Sequence, residues 1–232
     1  MSMPSKGTLG AAVVLLAFLA AGMASAACDD PPAAGVNWSK CDMTKVMLGG
    51  VDLSGADFSG ADISRSDLRK AKMTNAKLAD ATLTRTRLDG ADLAGADLTK
   101  AALDRANFEG ANLTGAVLVK AELPRANLTK ASLVGADLTK AELNRAVLTD
   151  ADLSGATLAE AYLMRADLRG AKFGKANLAD ANFDLADLHR SDLSQTVGLV
   201  QAQLERTCGD STTKLPPGIS LPPNWPCTAT GD

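Results

Sequence analysis

Apolar side chains recur through residues 36–195 with a period of five, without insertion or deletion over 32 units. The first position is Ala in 25 units, with Val, Cys, Ser or Thr in the others, and the third is Leu in 24. Positions two, four and five are mostly polar, charged or Gly, as in ADLSG at 151–155 and ANLTG at 111–115. An α-helix cannot use this pattern. At about 100° per residue a five-residue step turns the apolar position by about 140°, spreading Leu around the whole cylinder. A flat strand fails too, because an odd period sends the apolar residue to the opposite face at every unit. The pattern predicts short extended pieces with positions one and three inward, each followed by a corner, so that the chain curls into a coil. Coils then stack through backbone hydrogen bonds about 4.8 Å apart.

The corners carry a longer period. Arg65, Arg85, Arg105, Arg125, Arg145 and Arg165 occupy position five at 20-residue intervals, and Lys45 extends the series backward. Gly55, Gly95, Gly115, Gly135 and Gly155 form a second such series, and Lys100, Lys120 and Lys140 a third. Four units therefore make one turn of square cross-section. Eight coils give a rod about 38 Å long.

The A-[DN]-L-x-x units over 36–195 resemble those of the pentapeptide-repeat family. That resemblance implies an all-β fold, a right-handed quadrilateral parallel β-helix of about eight coils. The handedness comes from the family and not from the periodicity. Some members of the family dimerise through their C-terminal ends, so monomer and end-to-end dimer both stay open.

Open ends of a stacked solenoid leave unpaired backbone edges and need covers. After Gly198, the run LVQAQLER at 199–206 has helical composition, with Val200, Leu204 and Cys208 on one face, and predicts a short C-terminal α-helical cap. A Pro-rich tail follows, and the segment resembles the end of many exported bacterial members. The expected organisation is 27–35 as N-terminal segment, 36–195 as β-helix and 196–232 as capping helix and tail.

Residues 1–26 read separately. Lys6, the apolar run at 11–21 and Ala24-Ser25-Ala26 predict a secretory signal peptide cleaved after Ala26, hence a periplasmic or extracellular protein. Rival readings are an uncleaved membrane anchor and lipidation on Cys28, where Ser25 stands in place of the usual aliphatic residue. After cleavage no membrane span is expected. Outside the cytoplasm the four cysteines imply disulfides. Cys41 lies in the first coil and Cys208 beyond the last, too far apart to bond, so the pairs expected are Cys28–Cys41 and Cys208–Cys227.

Chemistry is sparse. One histidine, His189, and one tyrosine, Tyr162, leave little for general acid–base work. His189 at position four is expected to be an ordinary surface residue. No nucleophile–base constellation, phosphate loop or metal motif appears, so neither a catalytic residue nor a cofactor or metal is expected. Rows of Asp and Asn at position two, such as Asp52, Asp57, Asp62, Asp67, Asp92 and Asp97, suggest turn-stabilising hydrogen bonds more simply than calcium.

The column of Lys45 and six arginines is the most pointed feature, each cation about 5 Å from the next. Two readings compete. Asp62, Asp104, Glu122 and Glu142 lie nearby in sequence and can neutralise it locally, the default for such surfaces. Alternatively it is an anion-binding edge, broadened by Lys100, Lys120 and Lys140. The function expected is a non-enzymatic exported scaffold that binds a protein or a polyanionic envelope partner. A DNA-mimic topoisomerase protector is the alternative, opposed by 21 cations against 22 anions in the repeats, and a host-directed effector is another. Net charge is −3, which does not suggest nucleic-acid binding.

Overall fold

A computed structural model describes residues 28–227. Position-two residues form parallel bridges with the residue twenty further on, from Asn37↔Asp57 through Asn177↔Val197. One coil is therefore twenty residues with four sides, as the Arg spacing predicts. Each rung is a repeated pair of bonds: the Asp57 N–H donates to Val36 O at 2.8 Å and the Trp38 N–H to Asp57 O at 2.7 Å.

Corners are tight turns. The N–H of nearly every position-one residue donates back to the carbonyl three residues earlier, as Ala126 does to Leu123 at 3.1 Å. Position five takes a left-handed conformation, and 20 non-glycine residues adopt it, Arg105 at φ 53° among them. This costs about 1 kcal/mol or more at each. One bond along the ladder, joined by a second where position two is Asp or Asn, offsets the strain. The position-five N–H donates to the next coil, as Arg105 does to Pro124 O at 3.0 Å. The Asp or Asn at position two accepts the N–H two residues on, as Asp97 Oδ1 does from Thr99 at 2.9 Å. The acidic rows thus serve the turns.

Inside the shaft, Ala and Leu fill alternate positions. Ala101, Leu103, Ala121 and Leu123 are fully buried, and this holds through the central coils. The small residue leaves room for the large one, so the two pack together in a narrow interior. At the first coil Trp38 packs edge-on against Phe58, ring centroids 5.4 Å apart. Cys28 bonds to Cys41 there, and Cys208 to Cys227 at the other end, each with Cα atoms 5.6 Å apart.

The C-terminal end departs from expectation. No α-helical cap forms. The chain makes a four-residue 3-10 helix, Gln201–Leu204, and then rejoins the coil path. Cys208 pairs with Asp187 and Lys214 with Asp192, 21 and 22 residues apart instead of 20. From Val197 to Cys208 is 11 residues, where the coil below spends 10 between Asn177 and Asp187. One extra residue accommodates a 3-10 turn but not an α-helix. Leu204 drops fully into the shaft, while Val200 points out and stays 55% exposed. Thr196, Thr207 and Thr213 take buried inward positions. Their hydroxyls donate to Leu193 O, Leu204 O and Leu188 O. Beyond them Leu215, Ile219 and Trp225 pack against the core.

Glycine is demanded where this path bends. Gly198 has φ +74°, and a Cβ on it would lie 2.8 Å from the Ala179 N. Gly135 has φ +66° with open space around it. Gly198→Ala should therefore cost about 2 kcal/mol, backbone strain plus a steric clash, against about 1 kcal/mol for Gly135→Ala. Urea midpoints of the two variants test the difference.

Candidate interaction surface

The register places the cations. Lys45 and Arg65 through Arg165 stand one above another on a single corner, all exposed. Lys100, Lys120 and Lys140 stand on the preceding corner, also exposed. Between these corners lies one side of the rod, made of units such as 101–105, 121–125 and 141–145. Its outward residues include Glu122, Glu142 and Tyr162 at position two, which are neighbours in successive coils.

Local neutralisation of the Arg column is not what forms. Among the described residues, no ion pair within 4.0 Å involves any of the seven. Asp62, Glu122 and Glu142 are close in sequence, but they leave from the flat of the side and the column leaves from its corner; Asp104 shares the corner turn with Arg105 yet makes no ion pair with it. Ion pairs form within other parts of the surface instead. Asp67 is 5% exposed and is held by Arg69 at 2.5 Å and Arg87 at 3.9 Å. The Arg69 hydrogen bond keeps its carboxyl at about 2, against the opposing effect of burial. Of the second column, Lys140 reaches Glu160 at 3.2 Å. Like charges one coil apart repel by roughly 0.8 kcal/mol in water, so an unpaired column is held at a cost that a bound anion would remove.

Three large apolar side chains stand on or beside the same side, and the repeat pattern alone drew no attention to them. Tyr162 is 49% exposed, Met164 41% and Leu185 43%, the last replacing Arg one step beyond Arg165. The available signal was their type: large apolar residues at outward positions two, four and five.

His189 is not the ordinary surface residue expected. Its Nδ1 lies 2.5 Å from Asp187 Oδ1 and its Nε2 2.9 Å from the carbonyl of Cys227 in the tail. Both partners only accept, so both ring nitrogens donate when the imidazole is charged. Burial opposes that charge, but the Asp187 hydrogen bond and charge, the Cys227 carbonyl and Asp210 outweigh it and raise the pKa above 6.5. Arg169, 3.7 Å from Asp187, belongs to the same cluster. A raised folded-state pKa stabilises below the unfolded value of about 6.5 and loses that contribution as pH climbs through the folded value. Tail protection should therefore be complete in mild acid and decline in mild alkali. Hydrogen exchange near Cys227 against pH measures it, with His189→Gln expected to flatten the profile.

The family model described as pentapeptide repeats matches in 8 copies, from residues 33–60 through 161–197. The chain belongs to the pentapeptide-repeat family. A right-handed quadrilateral β-helix is the fold of that family, and the four-sided coil agrees with it. No curated protein matches the chain. Among solved structures it is similar to HetL of the cyanobacterium Nostoc sp. strain PCC 7120, a pentapeptide-repeat protein involved in heterocyst differentiation regulation. That pair shares 31% identity over 77% of this chain and 87% of HetL, with a TM-score of 0.49. Full-length QnrB1, a plasmid-mediated fluoroquinolone resistance protein, shares 16% identity over 77% of this chain and 90% of its own, TM-score 0.40. A pentapeptide-repeat protein of the Arabidopsis thaliana thylakoid lumen shares 30% over 59% and 68%, TM-score 0.28. Among the described residues of this pentapeptide-repeat protein, no helix is long and apolar enough to cross a membrane. The signal peptide expected over 1–26 lies outside them.

Proposed function

We propose that this chain is an exported, non-enzymatic scaffold that binds a partner through the cationic corner and the side it bounds. The observation that carries the reading is the column from Lys45 to Arg165, kept in register over seven coils without an intramolecular counter-ion. Seven such charges at coil spacing create a linear positive field along the rod, suited to an anionic partner. Disulfides at both ends of the solenoid support an oxidising compartment. In this reading residues 1–26 serve as a leader and 27–35 as an N-terminal cover. The mechanism is recognition by a surface whose backbone the coil holds fixed, so that only the exposed side chains have to order on binding.

A pull-down from envelope extract tests it. Wild type is compared with a variant carrying Arg85→Ser, Arg105→Ser, Arg125→Ser and Arg145→Ser together. Loss of at least one partner is expected. Identical partner sets from the two baits would remove the cationic corner from any role.

A further inference from the structure

We infer that the partner element recognised is an acidic amphipathic α-helix lying along the rod axis, on the side between the two cationic corners. This rests on the reading above, that the Arg corner binds an anionic partner. Spacing makes the choice. Successive arginines are one coil apart, about 4.8 Å. An α-helix presents one side chain per turn along a face, about every 5.4 Å. The mismatch of about 0.6 Å per step grows to only about 2.4 Å over four steps, within the reach of Arg and Glu side chains. An extended peptide offers same-face carboxylates about every 6.6 Å, and a nucleic-acid strand a phosphate about every 3.4 Å. Both fall out of step with the column after two or three arginines.

The side itself adds polarity and direction. Glu122 and Glu142 run along its middle, while Arg105, Arg125 and Arg145 bound one edge and Lys100 and Lys120 the other. Carboxylates on the partner are therefore accepted toward the corners and rejected over the centre. That arrangement discriminates against a uniformly anionic chain. Toward the C-terminal end, Tyr162, Met164 and Leu185 gather within two coils, each more than two-fifths exposed. Other outward apolar residues of the central coils, Val117 and Val134, stand singly on other sides. Tyr, Met and Arg are the residue types that concentrate binding energy at interfaces. They specify apolar side chains at one end of the helix and acidic flanks along the rest. From Arg105 to Leu185 is four coil steps, about 19 Å, the length of a helix of about 13 residues. So small a footprint makes a transient complex.

Fluorescence anisotropy at low salt, on the mature disulfide-bonded chain, tests this with three labelled probes. The first is a stapled helical peptide of about 14 residues with Glu on both flanks and Leu at one end. The second has the same composition scrambled, and the third is an oligogalacturonate of equal charge. The first probe should bind and the others should not. The quadruple Arg→Ser variant and, separately, Tyr162→Ala should each weaken it about tenfold. Dichroism on both variants confirms the coil, since every changed side chain points outward. Equal binding of the scrambled peptide, or no binding of any probe, would overturn the helix. Binding of oligogalacturonate alone would also overturn it while leaving the cationic corner as a binding site. An unchanged pull-down would instead sink the reading beneath it.

Discussion

Leu128→Ala should lower the free energy of unfolding by about 4 kcal/mol, with the urea m-value unchanged if the rod unfolds as one unit. Leu128 is fully buried in a central coil, and its N–H donates to Val147 O at 2.6 Å. The register sets it between Phe108 and Leu148 on the same side. Its rungs above and below are fixed by backbone bonds, so the shaft cannot shrink around the missing methyl groups. Collapse is what normally softens such a substitution, and here it is blocked. Ala126→Leu is the complementary variant. Ala126 is fully buried and stacked between Ala106 and Ala146, so added volume has nowhere to go. About 1–3 kcal/mol should be lost through overpacking. Stability of the Leu128→Ala variant within 1 kcal/mol of wild type would mean that the interior is far more plastic than the ladder implies.

Removing the C-terminal disulfide, as Cys208→Ser with Cys227→Ser, should cost about 3 kcal/mol, with the loss confined to one end. The bond closes a segment of sequence separation 19 that crosses the last coil. It is not alone in holding that segment. The Trp225 indole and the Asn224 amide both donate to Thr207 O at 2.9 Å. His189 holds the Cys227 carbonyl, and Gln201 exchanges two bonds with Ser220. Without the disulfide these contacts must bear the full ordering entropy of the tail. A solenoid contacts only its neighbours along the axis, so opening should spread from that end. Hydrogen exchange should show lost protection at 176–227 and unchanged protection at 96–135. Uniform loss along the rod would contradict a one-dimensional ladder.

The repeat pattern disclosed the coil because each rule of packing acts locally there. Ala at position one and Leu at position three read directly as inward residues, and the Arg series reports four units per turn. The cysteine pairs followed from the distance between ends. Four features stayed hidden for physical reasons. The tail has no repeat, so one added residue before Cys208 was invisible, and helical composition at 199–206 lost to the continuing ladder. His189 acquires its partner 38 residues away only because the tail returns across the last coil. Pairing of Arg125 with Glu122 looked natural at a separation of three, but a corner intervenes and points them apart. The side bearing Tyr162, Met164 and Leu185 emerges only when the coils are stacked.

The slipping register at the C-terminal end has a consequence for growth. A coil that repeats every twenty residues offers each end as a template on which another could add, and nothing in the repeats limits that. At Cys208 and Lys214 the rungs fall one and then two residues out of step. A second rod arriving there meets Leu215, Ile219 and Trp225 packed across the end of the core, in a strap sewn down by sulfur. Fibre elongation is thereby refused by geometry, and the charged flank remains the exposed route to company.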